Sequence, residues 1–156
     1  MDVKQLVEIA RAKEVVITTA ESCTGGLVAA AITDTPGSSA MFDRGFVTYS
    51  NAAKAEMLGV EQATLDAYGA VSEEVAAQMA RGAIQHSRAT LSVSITGIAG
   101  PGGSEFKPEG RVCFGVATAN NVTTQTVEFG ALGREQVRLK AREYALDLLL
   151  SATDSV

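Results

Sequence analysis

The stretch Thr18-Thr19-Ala20-Glu21-Ser22-Cys23-Thr24-Gly25-Gly26 sets a carboxylate, a hydroxyl, a thiol and a second hydroxyl in consecutive positions, Glu21 to Thr24. The β-branched run Val15-Val16-Ile17 precedes it and the apolar run Leu27-Val28-Ala29-Ala30-Ala31-Ile32 follows it. A strand therefore ends, the chain turns through small residues, and a helix begins. In an open α/β sheet, ligands bind at such carboxyl ends, and a helix start offers N–H groups and a positive dipole end to an anion. Ser22 and Cys23 are both candidate nucleophiles, and a helix start is expected to lower the thiol pKa of Cys23. A capped turn without chemistry accounts for the same residues, because Ser and Thr favour N-caps and Gly permits tight turns.

A serine or thiol nucleophile needs a base. His86, the only histidine, follows a helical segment rather than a glycine-rich turn, so a Ser-His-Asp or Cys-His system has no placed imidazole. A surface position at a helix end is expected for it. Lysine and tyrosine remain. Tyr49-Ser50-Asn51-Ala52-Ala53-Lys54 runs from a strand end into a helix. With Asn51 as N-cap, Lys54 falls in the first turn, where the dipole and burial both disfavour the ammonium. A lysine so tuned takes the proton of a serine hydroxyl. Tyr49 can relay that proton or hold a substrate, and Glu21 can orient Lys54 or charge the helix start. The alternatives are plain: a solvated lysine and a packed tyrosine.

Residues 97–104 hold four glycines and one proline, a loop that lets backbone approach or wrap a ligand. It lacks the Lys-Ser/Thr pair of a P-loop and the spacing of a dinucleotide fingerprint, so a dinucleotide fold is not expected. Arg134 and Arg138, one helical turn apart, can together grip a phosphate or carboxylate, or simply solvate a helix face. Lys107 and Arg111 flank Pro108-Glu109-Gly110 and can reach an anion there. No Cys/His cluster has ligand spacing, so no metal and no cofactor are expected.

Hydrophobic periodicity gives the elements that must position these groups. Helices are expected from residue 3 to about 13, over 24–33, over 52–58 closed by Gly59, over 61–68, from the Ser72 N-cap onward, and over 134–150, with 151–156 frayed. Strands are expected over 14–19, 42–50, 90–96, 111–119 and 122–129, the last two joined at Asn120-Asn121. The pattern predicts one α/β domain over residues 1–156. It is a three-layer α/β/α sandwich around a mixed, mostly parallel five-stranded sheet. The chain of 156 residues is 46% hydrophobic and carries a net charge of −5, which argues against a nucleic-acid binder with its basic stripe. Two cysteines make no disulfide framework and fit a reducing compartment. No signal-peptide core or bilayer-spanning run is visible, so a cytoplasmic protein without membrane contact is expected.

Five motifs in order carry a family resemblance. They are Thr19-Ala-Glu-Ser-Cys-Thr-Gly-Gly26; Pro36-Gly-Ser-Ser39; Gly45-Phe-Val-Thr-Tyr-Ser-Asn51 with Lys54 and Leu58-Gly-Val60; Gly69-Ala-Val-Ser72; and Thr96-Gly-Ile-Ala-Gly-Pro-Gly-Gly103 with Lys107-Pro108. Together they resemble the CinA C-terminal domain family over nearly the whole chain, and the length is similar to its stand-alone PncC-type nicotinamide-nucleotide amidohydrolases. The resemblance implies a cofactor-free hydrolysis of nicotinamide mononucleotide to nicotinate mononucleotide and ammonia, and a homodimer or larger homo-oligomer. It implies Ser22 as nucleophile with Lys54 and Tyr49 handling the proton. Thr24, Gly25 and Gly26 would supply donors around the carbonyl beside Glu21. The loop of Thr96, Gly97, Gly100, Gly102 and Gly103 would cradle the nucleotide, with Lys107, Arg134 and Arg138 about its anionic end. Two positions depart from the family pattern: Gly133 where Asp is common before the arginine, and Arg111 where a smaller residue is common. A nucleotide-binding module without turnover and a Cys23 amidohydrolase are the competing readings.

Overall fold

A computed structural model describes residues 2–156. Helix α1 (Val3–Ala12) starts where Asp2 accepts from the Lys4 N–H at 3.0 Å, and its buried stripe is Leu6, Val7 and Ala10. Strand β1 (Ile17–Glu21) leads through a turn to α2 (Leu27–Thr33). A 3₁₀ turn (Ser38–Ala40) precedes β2 (Phe42–Val47), which hands over to α3 (Asn51–Leu58) and α4 (Gln62–Tyr68). Then come α5 (Glu73–Gln85), β3 (Leu91–Gly97), the hairpin β4 (Arg111–Ala117) and β5 (Val122–Glu128), and α6 (Arg134–Ser155).

The sheet order is β2-β1-β3-β4-β5. Strand β1 pairs in parallel with β2 and β3, while β4 is antiparallel to both β3 and β5. Four strands thus share one direction and β4 alone opposes them, the mixed, mostly parallel sheet expected from the sequence. Helices α1, α2 and α6 cover one face and α3, α4 and α5 the other. The α6 side is a single apolar core including Ile17, Leu91, Val93, Phe114, Leu146 and Leu149. Phe114 stacks on Tyr144 with ring centroids 4.8 Å apart. On the other face, alternate β3 hydroxyls are fastened to the helix layer: Ser92 donates to Ala80 O at 2.7 Å and Ser94 to Ala76 O at 2.6 Å. Gly115 makes that approach possible, since a Cβ there would lie 2.6 Å from Ala76 O.

Several element boundaries differ from the sequence expectation. Strand β1 starts later than expected, at Ile17, and runs on through Ala20 and Glu21, expected to begin the turn; all five of its residues are buried. Thr18 Oγ1 donates to Arg44 O at 2.5 Å, while the buried Thr19 hydroxyl has no partner among the described residues. Ser50, not Asn51, caps α3, its Oγ accepting from the Ala53 N–H at 3.0 Å. Finally, α6 does not fray after Leu150. Lys13 Nζ donates to the carbonyls of Thr153, Asp154 and Val156 and holds its last turn.

Candidate active site

Because β1, β2 and β3 run in parallel, their carboxyl ends meet at one edge of the sheet, with Glu21 opposite both Val47 and Ile95. The chain continues from these ends into the Ser22 turn, the Tyr49–Asn51 link and the glycine loop. A cavity of about 360 Å³ opens between them. Ser22, Cys23, Tyr49, Lys54, Thr96, Gly97, Gly100, Gly102, Gly103 and Arg134 line it, together with Asn51 and Glu105.

At its floor the Lys54 Nζ lies 3.1 Å from Ser22 Oγ and donates to the Tyr49 main-chain carbonyl, also at 3.1 Å. Lys54 is 2% exposed and Ser22 7%. Among the described residues no carboxylate comes within 4.0 Å of that ammonium. Burial therefore drives the Lys54 pKa below its ordinary 10.5, against a smaller opposing pull from Cys23 and Glu105. The Cys23 part of that pull needs a thiolate, which the thiol does not supply at neutral pH. Desolvation pushes Cys23 up to about 12, outweighing its own N–H and the nearby Arg138. The helix start thus does not activate Cys23.

That helix start is occupied by the protein itself. Glu21, 1% exposed, accepts from the N–H groups of Gly26 (3.2 Å), Val28 (2.9 Å) and Ala29 (3.0 Å). It charges the start of α2 and forms no ion pair with Lys54 within 4.0 Å, and the anion expected there is its own carboxylate. The Gly25 N–H is also engaged, donating to Ser22 O at 3.0 Å. By contrast the N–H groups of Cys23 and Thr24 have no backbone acceptor among the described residues. Thr24 itself is buried, with its hydroxyl unpartnered.

The two α6 arginines share a face, as their spacing predicts, but have different tasks. Arg138 donates to Cys23 O at 3.0 Å and Thr24 O at 3.2 Å, pinning the turn from behind. Arg134 stands at the mouth, donating to Gly100 O and to the Tyr49 hydroxyl, both at 2.7 Å. Neither has a carboxylate within 4.0 Å among the described residues. Tyr49 is 60% exposed, and only its carbonyl, not its hydroxyl, meets Lys54 and Ser22. Lys107 lies outside the cavity and donates to Tyr68 O and Val71 O, which anchors the glycine loop. Arg111 pairs with Glu128 on β5 at 2.5 Å rather than awaiting an anion. Thr96 Oγ1 donates to Ala70 O at 2.8 Å. His86 ends α5 with its ring against Gly82 O. Among the described residues no three His, Cys, Asp or Glu side chains gather as metal ligands. Sequence reasoning passed over Glu109, whose carboxylate accepts from the Gly102 N–H at 2.7 Å and the Gly133 N–H at 2.9 Å. A lone glutamate in a loop gives no sequence signal of two main-chain partners.

The chain has relatives among known proteins. Over 147 residues the chain is 53% identical to the nicotinamide-nucleotide amidohydrolase PncC of Escherichia coli (strain K12), covering 94% of this chain and 89% of that protein. It is 56% identical over 136 residues to the PncC of Enterobacter agglomerans, covering 86% and 82%. Its fold superposes on the crystal structure of a competence-damaged protein (CinA) superfamily protein from Klebsiella pneumoniae 700603 with a TM-score of 0.94. That pair is 33% identical and covers 99% and 96% of the two chains. Residues 2–153 match the CinA C-terminal domain model, and the chain belongs to the CinA C-terminal domain family.

Proposed function

We propose that the protein hydrolyses the carboxamide of nicotinamide mononucleotide to nicotinate mononucleotide and ammonia, with Ser22 as nucleophile and Lys54 as base. The observation that carries the reading is the buried Lys54 amine 3.1 Å from Ser22 Oγ, with no carboxylate among the described residues within 4.0 Å to hold its proton. The likeness to the PncC proteins supplies the substrate.

In this reading the neutral amine takes the Ser22 proton as Oγ forms a bond to the carboxamide carbon. The N–H groups of Cys23 and Thr24, next in the chain after the nucleophile, receive the developing oxyanion. The C–N bond then breaks, and the proton held on Lys54 passes to the departing nitrogen, which leaves as ammonia. Water attacks the acyl-serine, Lys54 takes its proton, and that proton returns to Ser22 as the acid is released. Arg134 and the Gly97–Gly103 loop grip the 5′-phosphate end, and Tyr49 walls the ring. Arg138 acts from behind, holding the turn rather than the substrate, and Glu21 and Lys107 likewise hold backbone.

The test is ammonia release from nicotinamide mononucleotide in the presence of EDTA, with formation of nicotinate mononucleotide followed alongside. Turnover is expected in the wild type and its loss in Ser22→Ala. Full turnover in Ser22→Ala overturns the mechanism. Saturable binding of the nucleotide without product in the wild type favours a binding module instead.

A further inference from the structure

We infer that Glu109 is the positioning residue of the anion-gripping wall, one carboxylate that joins the glycine loop to the start of α6 and so sets Arg134 at the cavity mouth. The inference rests on the nucleotide reading of the cavity given above. Its two oxygens take N–H donors from separate segments, Gly102 at 2.7 Å and Gly133 at 2.9 Å. Gly133 immediately precedes Arg134, the first residue of α6. From there the guanidinium returns to the loop at Gly100 O and reaches the Tyr49 hydroxyl. Loop, carboxylate, helix start and guanidinium form a closed ring.

Two features show what the ring requires. Gly100 has φ +90, and a Cβ on it would lie 2.5 Å from the Glu109 carboxylate carbon, so the carboxylate lies against bare backbone. Among the described residues Glu109 and Arg134 make no ion pair within 4.0 Å, although both belong to the ring. The carboxylate engages main chain and leaves the guanidinium charge free for a ligand. A planar head with two acceptors suits two N–H donors, whereas a glutamine amide offers one acceptor and turns a donor toward the second N–H.

Glu109→Gln tests this with two substrates, nicotinamide mononucleotide and nicotinamide riboside, which lacks the phosphate. KM for the mononucleotide is expected to rise about tenfold with kcat changed by less than about threefold, and the kcat/KM preference for the mononucleotide over the riboside to fall about tenfold. Equal losses on both substrates, or a kcat loss at unchanged KM, overturn the inference. Amide hydrogen exchange reads the clamp without turnover. The Gly102 and Gly133 amides are expected to exchange faster in Glu109→Gln while β3 amides keep their protection. If the wild type releases no ammonia, the proposed function fails and exchange alone judges the clamp; unchanged exchange at both glycines overturns it.

Discussion

Cys23 lies beside Ser22 in the cavity lining, and the two nucleophile readings separate through its thiol chemistry. Burial raises its pKa from 9.0 to about 12. At pH 7.5 an ordinary thiol of pKa 9.0 is about 3% thiolate, and one near 12 is about 0.003%, a ratio of about a thousandfold. Only the thiolate reacts with iodoacetamide. Alkylation of Cys23 in the folded protein, followed by mass spectrometry of its peptide, is therefore expected to be at least about a thousandfold slower than in the urea-unfolded chain. Its rate should climb about tenfold per pH unit without a plateau below pH 10, because the titration lies above that range. Peptide analysis keeps Cys113, also buried and raised, out of the reading. Cys23→Ala should release ammonia within about fivefold of wild type, since the N–H that follows Ser22 survives the substitution. Rapid alkylation with a plateau near neutral pH, matched by loss of ammonia release and an inert Cys23→Ala, refutes both the burial argument and the serine assignment.

Lys54→Met is expected to lose about 10²–10⁴ in kcat/KM, the usual worth of a positioned base, without a lower melting temperature. In the wild type, kcat/KM should rise with pH through a Lys54 titration below 10.5, because the amine must be neutral to accept a proton. Between that lowered value and 10.5 the unfolded chain holds a proton the folded chain has released, so stability from Lys54 rises with pH across this window. Urea midpoints should show that rise in the wild type and not in Lys54→Met; an equal slope in both contradicts the shift. Arg138→Ala should cost about 2–3 kcal/mol by freeing the Cys23 and Thr24 carbonyls from charge-assisted bonds. A wild-type urea midpoint for that variant refutes the pinning role.

Much of this was legible in the chain. The apolar periodicities give every helix and strand, and strand–turn–helix punctuation locates the Ser22 turn and the Tyr49–Lys54 link at one sheet edge. What escaped was fixed by the folded geometry, in several cases by partners far away in sequence. Ala20 and Glu21 read as the start of the turn because a buried carboxylate is costly unless satisfied. The N–H groups of Gly26, Val28 and Ala29 satisfy it here, in a geometry set only once the turn is folded. The same holds for the last turn of α6, held by Lys13, and for Arg138, whose spacing to Arg134 was visible but whose targets were not. Ser50 and Asn51 are both good caps, so only geometry chooses between them. Cys23 was misjudged because the dipole argument assumes an open helix start, whereas burial dominates there.

The bond from Arg138 to Cys23 O spans 115 positions of chain. At a synthesis rate of 5–20 residues per second, the turn leaves the ribosome roughly 6–23 s before its clamp is made. During that interval the apolar faces of α1 and the sheet lack the helix that covers them, and the Ser22 turn has no guanidinium behind it. The Ser22 turn is therefore finished only once α6 has been made, and a nascent chain stalled before α6 carries Ser22 and Lys54 without the guanidinium that pins their turn.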